Sequence, residues 1–389
     1  MKKNRFLKIL ILIVSLSFVT CKQESISQNM NAFSKVKYNN ELPLDSFIIA
    51  IQKHYQLPGL AIATINNTKI NEIAIVGENK TKNGVAFNSN SKFQIASCTK
   101  SFTALLVASF VDDGLINWNT KISEVFTDNK IHKDFKDITI RQILSHISGL
   151  KQFWTDDEVF DIHSIIHKLL GNTVEKRKRF AIWNLTQEAN FKNSEHHYSN
   201  GGYVIIASIL EELTGKSYEE LMTERIFKPL ELSSAEFGYP FAIDSTQPYR
   251  HMYRDENGIG VTMNKQDRIP NKIFNPSGFI SLTIEDFAKF VLFHIQAINN
   301  KETIIKNSIV QKLFKPELIL PDNNEVGLGW QIIYVNGVKT YGHTGSDQTI
   351  RAAMSINPKT GKAVVFATNI GDQRSEMAMV NVIFELLDL

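Results

Sequence analysis

The sequence predicts an α/β (α+β) fold: one antiparallel sheet built from both chain ends, flanked by helices, with a mainly helical second lobe. Two observations carry this. Apolar strand patterns near the start, at 60–65 and 72–76, return near the end at 329–334, 352–357 and 363–368. The section between, roughly 97 to 300, follows helical periodicity, so both termini must meet in one sheet with helices packed around it. A chain of 389 residues, 43% apolar and 21% charged, is long enough to bury one large core or two joined ones.

The first residues are set apart. Met1-Lys2-Lys3-Asn4-Arg5 precedes an apolar run from Ile9 to Val19, the charged and apolar regions of a secretory signal and too short to span a bilayer comfortably. Cys21 follows at once, ahead of polar Lys22-Gln23-Glu24-Ser25. This arrangement resembles a bacterial lipoprotein signal, although Thr20 stands where a smaller residue is usual and Phe18 where leucine is commonest. The resemblance implies a signal peptide over 1–20, lipidation at Cys21 and a polar tether over 21–42, which leaves 43–389 for the folded domain. It implies an exported periplasmic lipoprotein, held to a membrane by its lipid. The formal charge of +3 includes Lys2, Lys3, Arg5 and Lys8, and without those four it falls to about −1. No basic stripe interleaved with aromatics points to nucleic acid, and no protein partner is implied. With two cysteines only, Cys21 and Cys98, core packing rather than disulfides must hold the fold.

The elements follow in order. Leu44 to Tyr55 has helical periodicity behind Pro43, and Pro58-Gly59 ends it. Leu60–Ile65 and Glu72–Val76 form a hairpin pattern around Asn66-Asn67. The small, apolar run after Ser97 reads as a buried helix closed at Gly114, with Ser97 in its first turn. Val204–Leu210, extended through Leu213 to Gly215, favours helix over buried strand. Thr283 before Glu285-Asp286 reads as an N-cap with an acidic first turn. Asn336-Gly337 and 358–362 turn between the last strands, and Glu376 to Leu387 is helical.

Three stretches carry chemistry. In Ser97-Cys98-Thr99-Lys100 the lysine stands one turn beyond the serine on the same helix face, so a desolvated amine could take the hydroxyl proton. In Tyr198-Ser199-Asn200, a phenol near an ammonium can act as a base and an amide can hold a substrate carbonyl. In Gly342-His343-Thr344-Gly345-Ser346, glycine admits close approach to a strand edge that could donate the Ser346 N–H to an oxyanion. Singly, each has a plain alternative: helix capping, a capped turn, and a loop histidine.

Together, in order and spacing, they resemble the S-x-x-K, Y-x-N and K/H-T-G signature of the penicillin-recognising serine hydrolases, and most of all the class C β-lactamase branch. The stretches 143–150, 226–230, 275–279 and 327–330 are similar to that branch too, so the resemblance runs from about Leu44 to the C-terminus. It implies the β-lactamase/transpeptidase-like fold and no cofactor or metal. Ser97 would be the nucleophile, with Lys100 and Tyr198 moving its proton. Asn200, His343, Thr344, Gly345, Ser346 and Gln152 would bind a small-molecule or peptide substrate, a β-lactam or D-amino-acid peptide amide. An esterase or other amidase on the same machinery, and a penicillin-binding sensor that acylates and stops, are the alternatives. The chain departs from the pattern at His343, which replaces a fixed lysine charge, and after Gly345, where bulkier residues could bring in Arg351 as a carboxylate partner. No G-x-S-x-G elbow or H-E-x-x-H occurs, and His196-His197 lacks a third ligand at a recognisable spacing.

Overall fold

The computed structural model describes residues 36–127, 130–152, 168–192, 194–254, 260–263 and 271–389; the expected signal peptide, Cys21 and most of the tether lie outside the described residues. Helix α1 (Leu44–Tyr55) buries Leu44, Phe47, Ile48 and Ile51 at helical spacing and stops where Gln56 turns left-handed. It leads into the hairpin β1 (Gly59–Ile65) and β2 (Ile70–Gly77), then the short β3 (Lys92–Gln94). A 3₁₀ turn over Ala96–Cys98 enters α2 (Thr99–Asp112).

The middle of the chain is mostly helical: α3 (Ile122–Val125), α4 (Ile140–Leu144), α5 (Thr173–Leu185), α6 (Asn200–Thr214) and α7 (Tyr218–Met222). Helix α6 begins at an N-cap, Ser199, and ends at left-handed Gly215, the glycine stop expected there. After β4 (Glu236–Phe237), β5 (His251–Arg254), β6 (Gly260–Thr262), α8 (Asn275–Gly278) and β7 (Ile280–Thr283), the Thr283 hydroxyl accepts from Asp286 N and starts α9 (Ile284–Ile298). The C-terminal part runs α10 (Asn307–Lys312), β8 (Leu318–Ile319), β9 (Glu325–Val326), β10 (Gln331–Val335), β11 (Val338–Ser346), β12 (Arg351–Asn357), β13 (Lys362–Thr368) and α11 (Gln373–Leu387). Among the described residues no helix is long and apolar enough to cross a membrane.

The main sheet has the order β2-β1-β13-β12-β11-β10-β9-β8, antiparallel throughout, and joins the two chain ends where β1 pairs with β13. Both faces of its centre are covered. Ala61, Ala63, Met354 and Val365 look towards α2 and α9, while Leu60, Ile62, Val364 and Phe366 look towards α1 and α11. That is why these strands read as continuous apolar runs rather than alternating ones. The fold class expected from the sequence is the one observed.

Three local expectations are corrected. Residues 343–345, expected as a turn between strands, lie inside the nine-residue strand β11. Its glycines and polar side chains hide the strand pattern, yet it is paired on both sides by β10 and β12. Ser97 sits in the 3₁₀ turn before α2 and not in the helix's first turn. The helical middle also contains a three-stranded sheet, β3-β7-β4, and a β5–β6 pair, with strands of two to four residues that are too short to show a period.

Candidate active site

Helix α2 is the platform. Twelve of its fourteen residues, Thr99 to Phe110, are buried, and Phe102 stacks on Phe290 of α9 with ring centroids 3.5 Å apart, so the helix cannot shift without opening the core. Ser97 is half-buried just ahead of it, on a turn whose preceding residue, Ala96, has φ +41°. A left-handed alanine stores strain of about 1–3 kcal/mol, which the packing around it must hold.

Strand β11 presses directly on this turn. A Cβ on Gly345 would lie 2.2 Å from Ile95 O and 2.8 Å from Ser97 N, so only glycine lets the strand run this close. The Cys98 thiol donates to His343 O across the same seam at 3.2 Å. Cys98 is buried and free, with its thiol pushed up by desolvation. The Ser97 amide therefore lies against Gly345, one residue from Ser346, where two N–H groups of an oxyanion hole would have to stand. The Ser346 side chain turns to the other face, with Oγ donating to Ile350 O and accepting from Gln348 N.

Lys100 is wholly buried, and its Nζ has three acceptors around it: Ser277 O at 2.6 Å, Asn200 Oδ1 at 2.8 Å and Ser97 Oγ at 3.2 Å. Three acceptors match an ammonium, but desolvation holds the amine well below its usual range. A neutral amine fits the distances too. Its two hydrogens meet the two shorter contacts and its lone pair faces the longest, the hydroxyl of Ser97. None of these three partners is a carboxylate, so nothing offsets the burial that disfavours the cation.

Tyr198 also hydrogen-bonds Ser97, and Lys100 Nζ is 4.8 Å from its ring centre. Burial raises its phenol, so it stays protonated. Asn200 opens α6 two residues later, where the Ser199 hydroxyl accepts from Gly202 N and donates to Lys151 O. Gln152 lies alongside: its carbonyl accepts from Asn200 N at 3.3 Å, while its side-chain amide is 3.4 Å from His197 Nδ1. His343 is buried and donates Nδ1–H to Thr344 O at 2.7 Å. Desolvation above all pushes it down to about 3, so it is a neutral imidazole with a lone pair on Nε2. Thr344 is half-buried beside it on β11.

Arg351 is a correction. It pairs in register with Ser346, on the face away from Gly345, and its guanidinium reaches Ser375, Gly371 O and Glu376 at the start of α11. Strand parity, not loop bulk, decides where it points. His196 and His197 do not form a metal pair: one lies edge-on to His146, the other stacks on Phe191, and no three-residue ligand cluster occurs among the described residues.

Two contributors escaped the sequence reading. His146, left-handed at φ +60°, accepts from Ser199 N at 3.0 Å through Nδ1, and its ring lies 4.3 Å from that of Tyr198. The other is the carbonyl of Ser277, which no side-chain pattern announces. It is held by a buried network: Arg177 donates to Ile273 O and Lys272 O and pairs with Glu211 and Glu219, and Glu219 accepts from Asn275.

Comparisons agree with this architecture. Residues 44–384 match the profile of the family described as Beta-lactamase. Penicillin-binding protein 4 of Amycolatopsis lactamdurans is 24% identical over 336 residues, 83% of either chain. Protein flp of Staphylococcus aureus (strain NCTC 8325 / PS 47) is 22% identical over 347 residues, 86% of this chain but 64% of that protein's length. Among solved structures, the octameric penicillin-binding protein homologue from Pyrococcus abyssi superposes with TM-score 0.71 at 22% identity, over 89% of this chain and 77% of that one. The penicillin binding protein from Bacillus halodurans gives 0.69 at 20% identity, over 86% and 98%.

Proposed function

Because the chain belongs to the β-lactamase family, we propose that it is a serine hydrolase that forms an acyl-enzyme on Ser97 and hydrolyses a β-lactam or a D-amino-acid peptide amide. The observation that carries the reading is a buried Lys100 amine 3.2 Å from the Ser97 hydroxyl, which also bonds Tyr198.

In this reading Lys100 takes the Ser97 proton as Oγ attacks the carbonyl carbon. The oxyanion that forms is met by the N–H groups of Ser97 and Ser346. The protonated amine passes a proton by way of the Tyr198 hydroxyl to the leaving nitrogen or oxygen, and the carbonyl re-forms as that bond breaks. A water then repeats the attack on the acyl-enzyme with the same two groups moving its proton, which frees the acid and restores Ser97. Asn200 holds Lys100 through Oδ1 and has its amide nitrogen to offer a substrate carbonyl.

One observation favours a second reading, cleavage of esters or of amides without a carboxylate. His343, neutral at pH 7, supplies an acceptor where a fixed cation would greet a substrate carboxylate. Kinetics on a chromogenic cephalosporin, a D-Ala-D-Ala peptide and short p-nitrophenyl esters, using protein lacking residues 1–21, separate the two. Turnover of the first pair at the higher kcat/KM supports the amide reading, and turnover of esters alone replaces it. A penicilloyl adduct that persists by mass spectrometry would instead support a sensor. We propose also that the protein is exported and lipidated at Cys21; palmitate labelling lost in Cys21→Ala tests this.

A further inference from the structure

The Tyr198 hydroxyl has to stay on Ser97, yet regular structure does not carry it. Residues 196–199 form neither helix nor strand, whereas Lys100 stands on α2 and Asn200 opens α6. The stretch is gripped instead from just beyond α4, by His146. The His146 carbonyl accepts from His197 N at 2.8 Å, and its Nδ1 accepts from Ser199 N at 3.0 Å. The N–H groups on either side of Tyr198 thus end on one residue. Over the tyrosine between them, the imidazole lies against the phenol ring, with centroids 4.3 Å and planes 31° apart.

His146 has the anchorage to serve as a fixed point. It donates its own N–H to Ile143 O at 3.1 Å and is 7% exposed. The carbonyl of Leu144, two residues back, accepts from the Tyr203 hydroxyl at 2.8 Å and from Gly329 N at 3.1 Å. With φ at +60°, position 146 is the kind of left-handed helix exit that glycine ordinarily fills. Ending a helix does not call for an imidazole; the side chain is explained by what it touches. The bond from Ser199 N requires Nδ1 without a proton, which is the neutral ring protonated on Nε2. Burial above all holds His146 well below 6.5, so the ring has that form at neutral pH.

We propose that His146 is a positioning residue for Tyr198, which sets the phenol hydroxyl on Ser97 by binding the backbone on both sides of it and backing its ring. The effect on catalysis rests on the serine hydrolase reading above; the placement of Tyr198 does not.

Two variants that both tolerate the left-handed backbone test this: His146→Gly deletes the ring, and His146→Asn offers an Oδ1 where Nδ1 stood. In crystal structures, the Tyr198 hydroxyl should leave hydrogen-bond reach of Ser97 Oγ in the glycine variant and keep its place in the asparagine one. A Tyr198 that stays on Ser97 without the ring overturns the proposal, whatever the protein hydrolyses. With p-nitrophenyl acetate, His146→Gly should lower kcat by about 10–100-fold with KM little changed, and His146→Asn should recover most of the loss. In a Tyr198→Phe background, His146→Gly should cost less than about threefold, because the hydroxyl it positions is already gone. An equal loss in both backgrounds means that His146 supports the fold only, and overturns the proposal. Wild-type protein that neither turns over the ester nor takes up a fluorophosphonate on Ser97 would count against the hydrolase reading instead, and the crystal structures would still decide the placement. If the glycine variant does not fold, His146→Asn decides. An Oδ1 bonded to Ser199 N with kcat lowered about tenfold or more overturns the proposal, and kcat within about threefold of wild type supports it.

Discussion

At the scale of single residues, burial acts on the two groups that the proposed catalysis uses. An amine and a phenol would ordinarily meet Ser97 as a cation and a neutral hydroxyl; desolvation lowers the first and raises the second, which favours the neutral amine and keeps the phenol protonated. The acylation rate should therefore rise with pH through the Lys100 pKa and level off well below 10.5, because a protonated Nζ has no lone pair to accept the hydroxyl proton. Stopped-flow acylation against pH measures this; a limb near 10.5 would show an exposed, ordinary lysine. Replacing the proposed base, Lys100→Met, should slow acylation by about 10²–10⁴-fold with the fold intact by circular dichroism. His343 adds no fixed charge, so raising the pH from 6 to 8 should leave KM for a carboxylate substrate unaffected by this residue, as His343→Ala would check.

At the scale of elements, the site is the contact of a strand with a turn. Gly345 is the point where β11 meets Ile95–Ser97, and Gly345→Ala drives a methyl into Ile95 O and the Ser97 amide. The strand or the turn must move, and about 1 Å of displacement is enough to cost about 10²-fold in kcat, with stability changed less. The comparison of kcat with thermal melting checks this. Behind α8, Arg177 holds the segment that offers Ser277 O to Lys100. Arg177→Met leaves Glu211 buried without its cation, and a loss of about 3–5 kcal/mol in chemical denaturation is expected. What was legible in the sequence at this scale follows physical lines. Long helices carry periodicity and strands covered on both faces carry unbroken apolar runs, so α1, α2, α6, α9, β1 and β13 could be read. Strand β11 could not, because the close approach to Ser97 demands glycine and polar residues there. The Ser277 carbonyl left no signature because every residue has one. Arg351 was legible as a cation, but the face it occupies depends on its register against Ser346.

At the scale of the whole molecule, segments near positions 97, 198, 277 and 343 are brought together only because both chain ends close one sheet over α2. The order of the motifs could be read in advance; their meeting depends on that closure. The interior this creates also holds neutral histidines. His196, His251 and His294 are each lowered from 6.5 to about 4 by desolvation, and His343 further. The unfolded chain thus binds more protons than the folded one between those values. Stability should be complete above about pH 6.5 and fall as pH drops towards 4, through a window where most carboxylates are still ionised. Melting temperatures at pH 7.5, 6 and 4.5 measure it, with a flat profile as the contrary result. The central claim, that Ser97 is the activated nucleophile of this crevice, is met most directly by peptide mapping after treatment with a fluorophosphonate. The account predicts one adduct, on Ser97, absent in Ser97→Ala and formed far more slowly in Lys100→Met. A Ser97→Ala protein that still takes up the label, or an adduct on another residue, would contradict it.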